Sequence, residues 1–277
     1  MRKLGIALVV AAALVGRRCC TSEPAPPVWR CATFNIENFP KSDHQVAAAF
    51  DEIVRLDAAI VAVQEITDPA LFGATARARL GAAWQFVSLD PGNTPHHTGV
   101  LFDSAAFSHV ATRVHDETRL EGRHKPTLDV ELRDRATGGH VRVLVVHLKA
   151  GGENQPIRTR QVAALRRIIM DLAGTGAALI VLGDFNATGD ADRRDLGRLA
   201  DATHTHWATE ALACSAFWSR DDGCPRSRLD HAISTIAPLD VHATGACETE
   251  GCATQDRCPL YRDQVSDHCP VVLTFTR

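Results

Sequence analysis

Aromatic residues are scarce in this chain, with ten Phe, four Trp and one Tyr among 277 residues. No apolar, aromatic-tipped hairpin of the kind that inserts into lipid can be recognised. A surplus of basic charge is also missing. The formal net charge of −3 argues against a broad basic nucleic-acid surface. It does not exclude an enzyme on nucleic acid whose metal ion handles the phosphate charge. No P-loop, G-x-G-x-x-G, G-x-S-x-G or H-E-x-x-H pattern occurs, so the motifs of several nucleotide-binding, serine-hydrolase and zinc-protease folds are absent. No short-period repeat, low-complexity tract or second linker interrupts the chain, which leaves one domain large enough for a sizeable core. The nine cysteines include no C-x-x-C pair, which argues against zinc at the cluster Cys247, Cys252 and Cys258.

What is present begins with an export signature. Arg2 and Lys3 precede a continuous apolar run, Leu4 to Val15, too short for a bilayer span of roughly 20 residues. Residues 1–20 read as a signal peptide and 21–28, with Pro24, Pro26 and Pro27, as a linker. Residues 29–277 form the domain. A lipoprotein signal with an anchor on Cys19 or Cys20 is an alternative, although Arg17 and Arg18 interrupt it. The expected destination is secreted, periplasmic or attached to the cell surface, and no stable protein partner is evident. In such a compartment disulfides are expected. Cys214 and Cys224, flanking a short polar loop, are the expected pair, and two of Cys247, Cys252 and Cys258 are expected to join. Cys31 and Cys269, within apolar strands, read as inert core thiols.

The hydrophobic pattern mixes strands and helices, giving an α/β (α+β) class. Strands are expected at Arg30–Ile36, Ala59–Val63, Trp84–Leu89, Gly99–Phe102, Thr127–Leu132, Val141–Val146, Ala178–Leu182, Leu229–Ser234 and Val271–Phe275. Ser42-Asp43-His44-Gln45 reads as a capping box opening a helix. Further helices are expected at Pro69–Leu80 and Ile157–Leu172. One regularity carries function. Asn35, Glu65, His147, Asp184 with Asn186, and Asp230 all fall where apolar strands end, and Asp267-His268 falls just before one begins. Brought to one edge, these residues suit a phosphate ester. Carboxylates hold a hard cation such as Mg²⁺, with Mn²⁺ or Ca²⁺ as substitutes, and amides orient phosphate. Imidazoles titrate near neutral pH. Asp230 could fix the tautomer of His268, whereas His231 reads as a surface residue. Asn186-Ala187-Thr188 matches a glycosylation sequon, but the site needs the same Asn.

The ordered set Thr33-Phe34-Asn35-Ile36-Glu37-Asn38, Val63-Gln64-Glu65-Ile66, Val146-His147-Leu148-Lys149, Gly183-Asp184-Phe185-Asn186-Ala187, Arg228-Leu229-Asp230-His231 and Ser266-Asp267-His268-Cys269-Pro270 resembles the endonuclease/exonuclease/phosphatase superfamily, the deoxyribonuclease I-like fold. The resemblance spans roughly Arg30 to Phe275. It implies a four-layer sandwich of two packed, mostly antiparallel β-sheets flanked by helices, and a Mg-dependent phosphoric ester hydrolase. It also implies that Glu65 binds the metal with Asn35 and Asp267 close by, and that Asp184 and Asn186 orient water and phosphate. His268, paired with Asp230, would act as base or as imidazolium. His147 would contact phosphate or protonate the leaving oxygen. His147 stands where abasic-site repair enzymes carry Tyr, and His96 or His97 falls where deoxyribonuclease I-like enzymes brace the first His with Glu. Lys149, Arg158 and Arg160 are candidate substrate contacts, with a solvated helix start as the favoured alternative. The implied activity is endonucleolytic hydrolysis of DNA. Sphingomyelinase-type phospholipase C or inositol phosphatase chemistry is the alternative within the fold, and a non-catalytic surface binding protein is the alternative outside it.

Overall fold

The computed structural model describes residues 27–277. The export signal, the linker as far as residue 26 and the anchor at Cys19 or Cys20 lie outside the described residues. In chain order the elements are β1 (Val28–Phe39), α1 (Asp43–Arg55), β2 (Ile60–Ile66), α2 (Pro69–Leu80), β3 (Trp84–Leu89), β4 (His97–Asp103), β5 (Phe107–His115), β6 (Thr127–Asp134), β7 (His140–His147) and α3 (Gln155–Ala173). There follow β8 (Ala178–Asp184), α4 (Asp190–Thr203), β9 (His206–Trp207), β10 (Ala216–Phe217), β11 (Arg226–Ser227), β12 (Asp230–Ser234), β13 (Asp240–Ala243), α5 (Ala246–Thr249), α6 (Leu260–Gln264) and β14 (Val271–Thr276). No helix among the described residues is long and apolar enough to cross a membrane.

Two six-stranded sheets run β13-β14-β1-β2-β4-β3 and β5-β6-β7-β8-β12-β9. Each is antiparallel except at one central pair, β1/β2 in the first and β7/β8 in the second. The crossover helices of these pairs, α1 and α3, cover the outer faces, together with α2 and α4. Strand alternation explains the layering. In β1, Trp29 and Cys31 enter the core between the sheets, where they meet Leu128, Val143 and Leu182. Ala32, Phe34 and Ile36 face the other way, onto Phe50 and Phe72 of the helices. The second sheet repeats this with Leu144 and Val146 under Leu165 and Ile169. The sandwich is the four-layer arrangement that the resemblance implied.

The ends of α1 and β1 are tied together by one side chain. Ser42 Oγ accepts the Gln45 N–H at 3.1 Å, which is the expected N-cap. Gln45 does not close the capping box in return. Its amide nitrogen donates to the carbonyls of Ile36, Glu37 and Val265. It thereby pins the end of β1 to the segment that leads into β14.

Eight elements, β5, β9, β10, β11, β13, α4, α5 and α6, have no counterpart in the sequence expectations, and the two longest are α4 and β5. α4 is a polar helix that buries only one face, around Leu196, Leu199 and Ala200. β5 is an edge strand with Val110 and Val114 exposed. β5 carries no strong periodic signal, whereas α4 does segregate its apolar residues to one face but has few of them among many charges.

The cysteines pair differently from the expectation. Cys214 joins Cys252, Cys224 joins Cys258 and Cys247 joins Cys269. Cys214 and Cys224 cannot meet because the β10/β11 register sets Ala216 against Ser227 and Phe217 against Arg226. That places the two cysteines at opposite ends of the hairpin. No two members of the Cys247–Cys258 cluster join each other; each staples that segment to a neighbouring element. Cys269 is therefore a half-cystine rather than a core thiol. Cys31 is free and buried, and burial pushes its thiol up to about 12.

Gly183 sets how closely β7 and β8 approach. Its φ is +142°, and a Cβ there would lie 2.1 Å from the Val146 carbonyl oxygen. Gly183→Ala combines a strained backbone with a clash against main chain, so it is expected to cost more than about 1 kcal/mol. A urea titration should show a lower midpoint with unchanged slope.

Candidate active site

The C-terminal ends of the two parallel pairs converge. β1 brings Asn35, β2 Glu65, β7 His147 and β8 Asp184; the last two are register partners. Alternation aims Asn35, His147, Asp184 and Asp230 into the space between the sheets, continuing the inward rows below them. Glu65 departs from the alternation. Its φ is +61°, with a register irregularity between Val63 and Ile66. The left-handed residue turns the carboxylate back toward Asn35. Asn186 at φ +50°, Glu37 at +38° and Asn38 at +56° are also left-handed. Such non-glycine conformations gather at functional sites.

Asp184 is the hub. Its Oδ2 accepts from Asn35 Nδ2 at 3.2 Å and Asn186 Nδ2 at 3.0 Å, and its Oδ1 accepts the Asn186 N–H at 2.8 Å. His147 Nε2 lies 3.6 Å away and His268 Nε2 3.9 Å away. Asn35 Nδ2 also reaches Glu65 Oε1 at 3.2 Å, so one amide links carboxylates from both sheets. Its own oxygen accepts the Glu37 N–H at 3.0 Å, so the amide positions Glu65 and Asp184.

His268 is oriented by Asp230. Nδ1 donates to Asp230 Oδ2 at 2.8 Å, leaving Nε2 toward Asp184 and Asp267. Ser215 Oγ donates to the same Asp230 oxygen at 2.8 Å. Ser266 Oγ accepts the His268 N–H at 3.0 Å and donates to the Asn35 carbonyl at 2.7 Å. Neither serine stands out in the sequence, although Ser266 begins a quoted motif.

The electrostatics follow from burial and neighbours. Burial opposes charge on His268, but Asp230, Asp267 and Asp184 outweigh it and hold its pKa well above the ordinary imidazole value. Burial lifts Asp184 to about 7; Asp230 and Glu65 add to this, against His268 and the Asn186 N–H. Burial, Lys125, His268 and His96 keep His147 well below its ordinary value, and therefore neutral.

Lys125 is the site residue that the sequence reading missed. Its Nζ lies 3.1 and 3.4 Å from the two ring nitrogens of His147. The available signal was a Lys-Pro step just before β6, one position out of the inward row. His96, a candidate brace for His147, instead contacts Asn38 Oδ1 at 2.6 Å.

Three other expectations change. Arg158 is buried and spans Asp192 with two hydrogen bonds, the carbonyls of Lys149 and Gly151, and the Thr188 hydroxyl. It holds α3, α4 and the loops together and is not free for substrate. Arg160 pairs with Glu121 at the surface. His231 is fully buried on the opposite face of β12 from Asp230, against Thr209 and Trp207, and burial with Arg228 pushes it down to about 3. Lys149 remains half-exposed beside His147. Asn186 is buried, so its sequon is out of reach.

The chemistry of the donors suits a hard divalent cation. Asp267 Oδ1 is buried with no hydrogen-bond partner. Burial raises the Asp267 pKa, His268 opposes this, and Glu37 and Glu65 add to it. Crowded carboxyl oxygens, one of them orphaned, are what a cation relieves. Asp184, Asp230 and His268 also offer ligand atoms within 4.8 Å of one another. Asp230 and His268 are bonded to each other through Asp230 Oδ2, and Asp230 Oδ1, like Asp267 Oδ1, is buried without a partner among the described residues.

The four-layer sandwich is the fold of a family whose membership suggests a hydrolase acting on phosphoester bonds. The family model described as Endonuclease/Exonuclease/phosphatase family matches residues 32–268, and the chain belongs to that family. Among solved structures, D. rerio TDP2 complexed with single strand DNA product is similar at 15% identity and TM-score 0.70, over 90% of this chain and 99% of that one. The human Nocturnin catalytic domain with bound sulfate anion gives 18% and 0.68, over 90% and 94%. An endonuclease/exonuclease/phosphatase family protein from Bacteroides thetaiotaomicron gives 15% and 0.61, over 90% and 97%. No curated protein matches the sequence. At these identities the structural neighbours show the fold.

The Asp230–His268 pair makes a spectroscopic prediction. In chelator-treated protein, His268 should remain protonated at neutral pH. Asp230→Asn should move its NMR titration downward, because a charge that favours imidazolium is gone. The sign extends to stability. A raised folded pKa contributes stability below the unfolded value near 6.5, lost as pH rises through the folded value. An unmoved His268 titration would remove Asp230 as its partner.

Proposed function

We propose that this protein is a secreted, divalent-metal-dependent phosphodiesterase, an endonuclease that hydrolyses DNA. The observation that carries the reading is the convergence of Glu65, Asp184, His147 and His268, far apart in the chain, into one cluster of side chains. Three disulfides and the N-terminal apolar run support export to an oxidising compartment. The DNA product in D. rerio TDP2 is a fact about that neighbour, and supports nucleic acid as substrate class here.

Glu65 and Asp267 would hold the cation, Mg²⁺ or in its place Mn²⁺ or Ca²⁺. When bound, it supplies charge neutralisation at a phosphate oxygen and polarisation of an ester. The side chains divide the remaining work. Asp184, near 7 and fixed by Asn35 and Asn186, is placed to take a proton from an attacking water. His268, held as imidazolium, faces the developing phosphoryl charge. His147, neutral and backed by Lys125, can donate a hydrogen bond or pass a proton toward the leaving oxygen.

A lipid substrate finds less support. The β10–β11 hairpin carries an exposed Trp218, but away from its tip. Its tip is Arg220-Asp221-Asp222-Gly223, which is too polar to enter a bilayer.

Purified protein should nick plasmid in Mg²⁺ and stop when chelator is added. Folded protein that nicks with none of the three metals would overturn the reading. Asp184→Ala and His268→Ala should each lower turnover by about 10²–10⁴-fold while circular dichroism stays native. Glu65→Gln should raise the metal concentration needed for half-maximal rate, and an unchanged requirement would remove it from the metal site.

A further inference from the structure

Beside the catalytic cluster lies a cleft of about 280 Å³. His147 closes its inner end. Arg123, His124 and Lys125, just ahead of β6, form one wall; Lys149, just after β7, forms the other, and Asn93 and Thr94 face them. No carboxylate lines it. Asn93 Nδ2 donates to the Arg123 carbonyl at 3.1 Å, which ties the β3–β4 loop to the basic segment.

Arg30, Arg79, Arg193 and Arg198 each lie against a carboxylate. Arg123, Lys125 and Lys149 form no ion pair among the described residues, and the neighbouring Glu121 is taken by Arg160. Lys125 is half-buried; its Nζ lies against neutral His147, and burial opposes its charge while the nearby Glu65 and Asp184 carboxylates favour it. Burial and then Lys149 disfavour charge on His124. Arg123, Lys125 and Lys149, none of them in an ion pair among the described residues, crowd one concavity in a chain of net charge −3, which favours an anion there. The cleft opens directly onto His147, so the anion must sit next to the reacting phosphate. In a nucleic-acid strand that group is the adjoining backbone phosphate. A phosphocholine headgroup would place a quaternary ammonium against the same cations.

We propose that the Arg123–Lys125/Lys149 cleft is a second phosphate subsite, which binds the strand phosphate next to the scissile one. This rests on the phosphodiesterase reading above. The protein would then favour substrates with a neighbouring phosphate over those with a single phosphodiester.

The test compares thymidine dinucleotides without a terminal phosphate (TpT), with one at either end (pTpT and TpTp), and 4-nitrophenyl phosphorylcholine. In Mg²⁺ the wild-type kcat/KM should be about tenfold or more higher for pTpT or TpTp than for TpT, one to two charge-assisted contacts. The Arg123→Ala/Lys149→Ala variant should lose most of that ratio. In chelator, a labelled oligothymidylate should bind the wild type by fluorescence anisotropy and the variant more weakly. The slope of log affinity against log salt should shrink by about 0.7 per contact removed. Equal rates on all three dinucleotides, a preference for the choline ester, or unchanged binding by the variant would each overturn the subsite. If nothing is hydrolysed but the wild type outbinds the variant, the subsite stands and the enzymatic reading fails.

Discussion

The carboxylate of Asp184 is the group around which the polar interior is arranged. An ionised carboxyl removed from water costs several kcal/mol unless donors and counter-charges replace the solvent. Here the replacement comes from Asn35 on the other sheet, Asn186 two residues on, and two imidazoles from distant strands. Each of these is in turn held by something else: Asn35 by the Glu37 N–H, Asn186 by the Leu148 carbonyl, His147 by Lys125 and His268 by Asp230. The network can form only if both sheets pack with their parallel-pair ends level. The apolar core between the sheets therefore positions the chemistry as well as supplying stability.

Two kinds of support keep the site rigid. Left-handed residues at Glu37, Asn38, Glu65 and Asn186 cost about 1–3 kcal/mol each when the residue is not glycine, so the packing around them must over-determine their conformation. The second support is covalent. Cys269 follows His268 directly and is bonded to Cys247, and its N–H donates to the Ser215 carbonyl at 2.7 Å. The Ser266-Asp267-His268 segment is thus fastened on the side away from the main core, where a small cluster is built largely from half-cystines. A disulfide suits this corner, because few apolar side chains are there to do the same work.

Charge is partitioned as sharply as packing. On the Asp267 side of Asp184, carboxyl oxygens crowd together, a cation site in character. On the His147 side, Arg123, Lys125 and Lys149 line a cleft that no carboxylate lines. A phosphodiester strand, which needs both a metal at one phosphate and positive charge at the next, is a ligand that both halves would satisfy.

Much of this was legible in the residues. The strand cores are short apolar runs, and their polar last residues announced a shared edge. Those strands in fact extend through the polar residues: β8 ends at Asp184 and β7 at His147, still paired to each other. Hydrophobic pattern stops at the last apolar residue, whereas the hydrogen-bond ladder does not. β5 and α4 escaped notice because an edge strand and a surface helix bury too few side chains to mark the sequence. His231 was misjudged since period-two alternation gives its face but not whether that face is covered.

The sequence by itself determined the element types, the inward rows of β1, β7 and β8, and the residues capable of phosphate chemistry, since all of these follow from local composition and spacing. Only the tertiary structure decided which cysteines meet, that Arg158 is a buried strut, that Lys125 lies against His147, and that Asn35 and Asp184, 149 positions apart, share a hydrogen bond. Those outcomes depend on the approach of surfaces far apart in the chain, and no window of sequence contains both partners.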